Sequence, residues 1–206
     1  MFKYYTKTEL ELIIESIYRE NDILTPSDLT IKKLERTFKV NVCFLDNAPN
    51  RAIWEEEFAV IFLKPKMPNK EIRSLLFHEI GHPFRHIGSQ EEQTELFRAL
   101  QEAQADVFQL YAAIPIFMLE QLDIPPTEGD FINLIEETFQ INRELAIKRM
   151  EQIKARIWCN KLDIQLKEKE KQRYRKASNE LSGETLRLLA QLENQVYKKK
   201  KVKVNL

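Results

Sequence analysis

The run His78-Glu79-Ile80-Gly81-His82 sets two imidazoles four residues apart, with a carboxylate directly after the first. In a helix, that spacing leaves the two rings about 40° apart around the axis and one turn apart along it. Two nitrogen donors can then reach one metal ion. Glu79 points to another part of the surface, close enough to reach a water on that ion without ligating it. This is the HExxH zinc-hydrolase signature, with the glutamate as general base. A zinc ion held by two histidines still needs a third protein ligand and an open position for water.

Glu102-Ala103-Gln104-Ala105-Asp106 begins twenty residues after His82, among Leu96, Leu100, Val107 and Leu110 at helical spacing. Taken alone, two carboxylates one turn apart beside an apolar stripe read as a solvated acidic pair. Behind an HExxH helix they suit two jobs. Glu102 is expected to ligate zinc, and Asp106 to accept the free N–H of a ligating histidine, His78 by preference, fixing its tautomer. His86 is the third and last histidine of the chain. Pro83 and Gly88 disturb the helix around it, so His86 is read as structural or as a support behind the ligands.

LLFHEIGH (75–82) followed by EAQADVFQLYAAIP (102–115) resembles the ImmA/IrrE-type metallopeptidases of phages, integrative elements and stress-response loci. The resemblance runs from about residue 10 to residue 150, and a glutamate as third ligand is similar to the wider gluzincin arrangement. It implies a zinc-dependent, site-specific endopeptidase of the bacterial cytoplasm. Its implied substrate is a helix-turn-helix transcriptional repressor of a phage or mobile element, cleaved to relieve repression. Composition and spacing by themselves reach only a zinc hydrolase. A local departure is Pro83, which lacks an N–H and crowds the carbonyl four residues back, so a kink is expected just past the site.

The elements that must position these residues are legible in outline. Residues 8–20 and 28–38 have helical spacing, with Ser27 or Asp28 as the second N-cap. Val40–Leu45, Ala52–Trp54 and Phe58–Leu63 read as strands of a small antiparallel sheet. Asn69 is placed to cap the helix carrying His78 and His82, and helices over 90–113 and 115–122 close the unit. An edge strand beside the metal, Phe58–Leu63 or Val40–Leu45, would take an extended substrate as an added strand; either reads equally well as core. The expected fold is α+β and zincin-like: mostly helical, with a three-stranded antiparallel sheet. A helix-turn-helix-like unit and a helical extension follow. The expected domains are 1–125 (metallopeptidase), 126–160 (helix-turn-helix-like) and 161–206 (basic extension and lysine-rich tail).

Composition bounds the alternatives. The chain has 206 residues and zero formal net charge. Residues 161–206 hold 13 Lys+Arg against 6 Asp+Glu, a balance of +7, leaving 19 against 26, or −7, for residues 1–160. The charged first residues carry no apolar leader, and no apolar run is long enough for a membrane span. Cys43 and Cys159 lie far apart and form no C-x-x-C motif, which fits a reducing compartment and argues against a thiolate zinc site or a deformylase-type cysteine ligand.

The helical pair Phe131–Ile141 and Arg143–Arg156 invites a DNA-binding reading. Residues 130–150 are near neutral, however, with Asp130, Glu136, Glu137 and Glu144 opposing Arg143, Lys148 and Arg149, a poor match to phosphates. A structural or substrate-docking role is the better reading. Leu186, Leu189, Leu192 and Val196 form an apolar stripe needing a partner, and KKKKVKV (198–204) reads as a solvated tail able to meet nucleic acid or another acidic surface. The alternative function is a non-proteolytic, zinc-containing regulator that docks on a repressor or binds DNA. No oxyanion-stabilising residue is assigned. Tyr111 lies nine residues from Glu102 and would face nearly the opposite way in a continuous helix.

Overall fold

A computed structural model describes residues 2–55, 58–86, 94–180 and 182–204, with side chains at 2–55, 58–86, 94–175 and 182–196. The first helix, α1 (Glu9–Glu20), starts at a capping box: Thr8 accepts from the Glu11 N–H, and Glu11 reaches back to the Thr8 N–H. Its inner face buries Ile14 and Tyr18. The second helix, α2 (Ile31–Phe38), is capped by Thr30 and not by Ser27 or Asp28. A 3-10 turn at Pro26–Asp28 intervenes, and the Asp28 carboxylate is already engaged by the Thr25 N–H and the Lys33 ammonium.

Three strands follow: β1 (Asn41–Phe44), β2 (Arg51–Trp54) and β3 (Ala59–Leu63). The sheet order is β1-β3-β2, with β1 parallel and β2 antiparallel to β3. The sheet is therefore mixed, which corrects the antiparallel expectation. The chain reverses twice between β1 and β3, so the third strand runs the same way as the first, and its insertion between the other two makes one pairing parallel. Ala59-Val60-Ile61-Phe62-Leu63 has no polar residue, and Ala59, Ile61 and Leu63 are buried. An all-apolar strand belongs in the middle of a sheet. Phe58–Leu63 is accordingly not an edge; β1 and β2 are.

The long helix α3 (Asn69–Arg85) carries the HExxH residues. Pro68 stands at its N-cap without a side-chain hydrogen bond, and Asn69 is the first helical residue, so the Asn69 cap is not formed. Pro83 lies inside the last turn, and the helix ends two residues later, with His86 as C-cap. Helix α4 (Glu95–Ala113) runs against α3, and the four-residue α5 (Ile116–Leu119) is wholly buried. Residues 87–93, including Gly88 and the expected start of the helix at 90, lie outside the described residues. Phe38 joins α1, α2, α3 and α4 in the core through edge-on contacts with Tyr18, Phe84 and Phe108 at 5.6–6.0 Å.

Helices α6 (Glu128–Phe139) and α7 (Arg143–Glu180) are joined by a tight turn in which Gln140 adopts φ 53°. This junction is tied to α3: the Asn142 N–H donates to Ser74 Oγ at 3.0 Å, and Arg73 Nε donates to the Phe139 carbonyl at 2.8 Å. Residues Met1–Ile157 form one compact unit and Trp158–Leu206 a second. In the second lie the rest of α7 and α8 (Gly183–Val204), on which Leu186, Leu189, Leu192 and Val196 are exposed. The side chains of the lysine tail lie outside the described residues. Among the described residues, no helix is long and apolar enough to cross a membrane.

The first unit contains a buried ion pair. Arg149 of α7 is fully buried and donates to Glu11 of α1 at 2.8 Å, to the Ile114 carbonyl and to the Tyr5 hydroxyl. Burial pushes the Glu11 carboxyl up, but Arg149, the Tyr5 hydroxyl and the Thr8 N–H together outweigh it and hold the group below its ordinary range. Such a pair is costly to break on one side, because the survivor is a buried, uncompensated charge.

Candidate metal centre

Helix α3 buries Ile72, Leu76, Phe77 and Ile80 in the core, which fixes its rotation and turns His78 and His82 toward α4. Gly81 sets the spacing of the two helices. A Cβ there would stand 3.0 Å from the Ala105 Cα and 3.2 Å from the Ala105 carbonyl oxygen, tight enough that the α4 backbone would have to give way by a few tenths of an ångström. The small pair Gly81 and Ala105 lets α4 lie close, and Glu102, one turn before Asp106, then comes within reach of both imidazoles.

His78 Nε2 and His82 Nε2 are 3.3 Å apart, and His78 Nε2 is 3.2 Å from Glu102 Oε2. His82 Nε2 is 3.7 Å from Glu102 Oε1. One ligand atom from each of the three residues lies within 4.8 Å of the others, and among the described residues this group alone has that property. Ligands about 2.05 Å from a tetrahedral zinc ion are separated by roughly 3.3 Å, so the donor set fits the ion. On the far side of His78, Nδ1 lies 3.0 Å from Asp106 Oδ1. A carboxylate there accepts a hydrogen bond from Nδ1–H, which holds the proton on that nitrogen and leaves the Nε2 lone pair facing Glu102 and His82.

The environment prepares the ligands. Burial pushes the His82 imidazole down to about 4, so at neutral pH it is uncharged and can donate a lone pair. Its ring lies against the Trp54 indole, with centroids 5.7 Å and planes 14° apart. Glu79 is buried, and that burial raises its pKa; the nearby His78 and a hydrogen bond from the Ala52 N–H oppose the rise. A carboxylate made more basic by burial is the better suited to accept a proton.

Strand β2 is thus the sheet edge beside the centre, a part of the site that the sequence did not single out. Glu55 N–H bonds to the Phe58 carbonyl, and the register pairs Ile53 with Val60. By antiparallel alternation, the main-chain groups of Ala52 and Trp54 face away from β3. The Ala52 N–H meets Glu79 there. Trp54 was equally unmarked; its only sequence signal is the rarity of tryptophan, two in the chain.

The remaining expectations divide. His86 is buried with Nε2 3.3 Å from the Gln101 carbonyl, outside the group of three. Tyr111 is also buried, and its hydroxyl accepts from Gln152 and Arg156, away from the histidines.

These features define a helical protein with a small mixed sheet and a His-His-Glu group shared between two packed helices. No family model matches the chain. It is 26% identical over 149 residues to the phage-like element PBSX protein XkdA of Bacillus subtilis (strain 168), covering 72% of this chain and 75% of that one. It is 23% identical over 146 residues to the uncharacterized protein YqaB of the same organism, covering 71% and 84%. A solved structure titled Mycobacterium tuberculosis transcriptional regulator superposes with a TM-score of 0.47 at 16% identity, over 68% of this chain and 46% of that one. A likeness of that size carries no argument.

Proposed function

We propose that the chain is a zinc-dependent endopeptidase that cuts a helix-turn-helix repressor of a phage or mobile element and so relieves repression. The observation carrying this reading is the convergence of His78, His82 and Glu102 beside a buried glutamate that bonds to the β2 edge of the sheet. The similarity to a protein of a phage-like element supports the biological setting, and the substrate class comes from the resemblance in the HExxH and Glu102–Asp106 segments.

His78, His82 and Glu102 would hold the metal, with Asp106 orienting the His78 ring. Zinc in such a site lowers the pKa of a water toward about 7 and polarises a carbonyl oxygen. An extended peptide lies along β2 as an added strand, exchanging hydrogen bonds with the outward main-chain groups of Trp54 and the Ala52 carbonyl, the Ala52 N–H being held by Glu79. Glu79 takes the proton of the attacking water and passes it to the nitrogen of the leaving amine. Its bond to the Ala52 N–H keeps the carboxylate oriented between strand and ligands.

The test is co-expression with the repressor encoded beside this gene, comparing wild type with Glu79→Gln by intact mass. Two fragments summing to the repressor plus one water, seen with wild type alone, are expected. An intact repressor in both samples would overturn proteolysis of that partner and favour a docking role.

A further inference from the structure

Trp54 belongs to two parts of the molecule at once. Its main chain lies on the outward side of β2, and its indole forms the wall on which the His82 ring stacks, 14° from parallel. The indole N–H donates to the His86 carbonyl at 3.0 Å, pinning the residue that ends α3. His86 then places its own Nε2 3.3 Å from the carbonyl of Gln101, the neighbour of Glu102. Strand, helix end and second helix are thereby joined in a bracket behind the ligands.

We propose that Trp54 is a positioning residue for the metal centre, holding the His82 ring plane and the end of α3 so that His82 and Glu102 converge on one point. The proposal rests on the metal-centre reading above. An imidazole lone pair lies in the ring plane, so a ring free to rotate spends much of its time pointing away from the ion. A stacked wall removes that freedom before the metal arrives, and supports of this kind raise metal affinity without touching the ion. Asp106 performs the corresponding service for His78 by a hydrogen bond; Trp54 does it for His82 by a face-to-face contact. Because the same residue presents main-chain groups to the open edge, it also links the place where a peptide would lie to the ligand it supports.

The experiment uses the full chain, stripped of metal, in a Trp158→Phe background, so that Trp54 is the only indole. Trp158 is 65% exposed and lies in the second unit. Titration with Co²⁺ should quench Trp54 fluorescence with one-to-one stoichiometry, and zinc should reverse the quenching by displacement. Zinc affinity, measured by chelator competition in the Trp158-containing chain, should fall at least about 10-fold in Trp54→Leu, and Trp54→Phe, which keeps a stacking face, should recover most of the loss. Ile53→Ala, on the opposite face of the same strand, should bind zinc like wild type.

A folded Trp54→Leu protein within about twofold of wild-type zinc affinity would overturn the proposal. If Trp54→Leu does not fold, Trp54→Met, bulky but without a stacking face, decides: it should shift the visible Co²⁺ bands and lose zinc affinity, and an unshifted spectrum with unchanged affinity counts against us. Failure of the wild-type chain to take up either metal would overturn the metal-centre reading and this proposal together.

Discussion

The two edges of the sheet are built alike and placed differently. At β1, the outward Val42 N–H donates to Glu35 of α2 at 2.8 Å. At β2, the outward Ala52 N–H donates to Glu79 of α3. Each carboxylate satisfies a main-chain donor that the sheet leaves open. Glu35, however, stands beside Lys32, Arg36 and Lys39 at the surface, whereas Glu79 is buried near the His78 imidazole and the Glu102 carboxylate. A glutamate on a strand edge is therefore a closure by itself. Burial, a raised pKa and convergent donors are what fit the second one for chemistry.

Turnover is where the edges should separate most. Glu79→Gln should cost on the order of 10²–10⁴ in cleavage rate with metal content unchanged, and Glu35→Gln should leave the rate alone while lowering stability by about 1 kcal/mol. Paired kinetic and thermal-unfolding measurements check this; equal rate losses would erase the distinction. A smaller effect is expected from the α4 carboxylate that supports His78. Asp106→Asn should weaken zinc binding about 10- to 100-fold, as read by chelator competition.

Gly81→Ala probes the spacing beneath the site. Pushing α4 away from α3 should destabilise the chain by about 1–3 kcal/mol and weaken zinc binding as well. Normal affinity in that variant would mean that the helices need not lie so close. The mildest difference is in pH. The depressed His82 value means that the folded, metal-free protein refuses a proton that the unfolded chain accepts. Its contribution to stability is full above about pH 6.5 and is lost as pH falls toward about 4. Glu79 titrates in the opposite sense, so the unfolding midpoint is best followed in Glu79→Gln, where it should drop across that window. Adding His82→Gln should flatten the slope.

Local periodicity made much of the centre legible. His78 and His82, and then Glu102 and Asp106, fall on common helix faces whatever the rest of the chain does. Their mutual approach was a harder inference, since it depends on Gly81 meeting Ala105 across two helices. The β2 edge was not legible, because strand order is decided by pairing between segments distant in sequence. The uninterrupted apolar run of β3 is the sign in the sequence that it takes the middle, and it outweighs the reading of Phe58–Leu63 as a possible edge. Thr30 and not Asp28 caps α2 because the preceding 3-10 turn engages Asp28 first, a local competition that the spacing alone does not show. Trp54 could not have been assigned from sequence; a stacking wall is a relation between a strand and a helix, with no spacing rule to announce it.

The Glu11–Arg149 pair spans 138 residues of chain, and that distance has a meaning in time. A polypeptide made from its amino end has α1 in solution long before α7 leaves the ribosome. During that interval Glu11 has no buried cation to meet, and packing it against the core would strand a charge. The last stitch of the first unit must therefore wait until residue 149 is free, after α3 and α4 have emerged. The histidine-bearing helix is thus synthesised well before the clasp that locks the body around it can close.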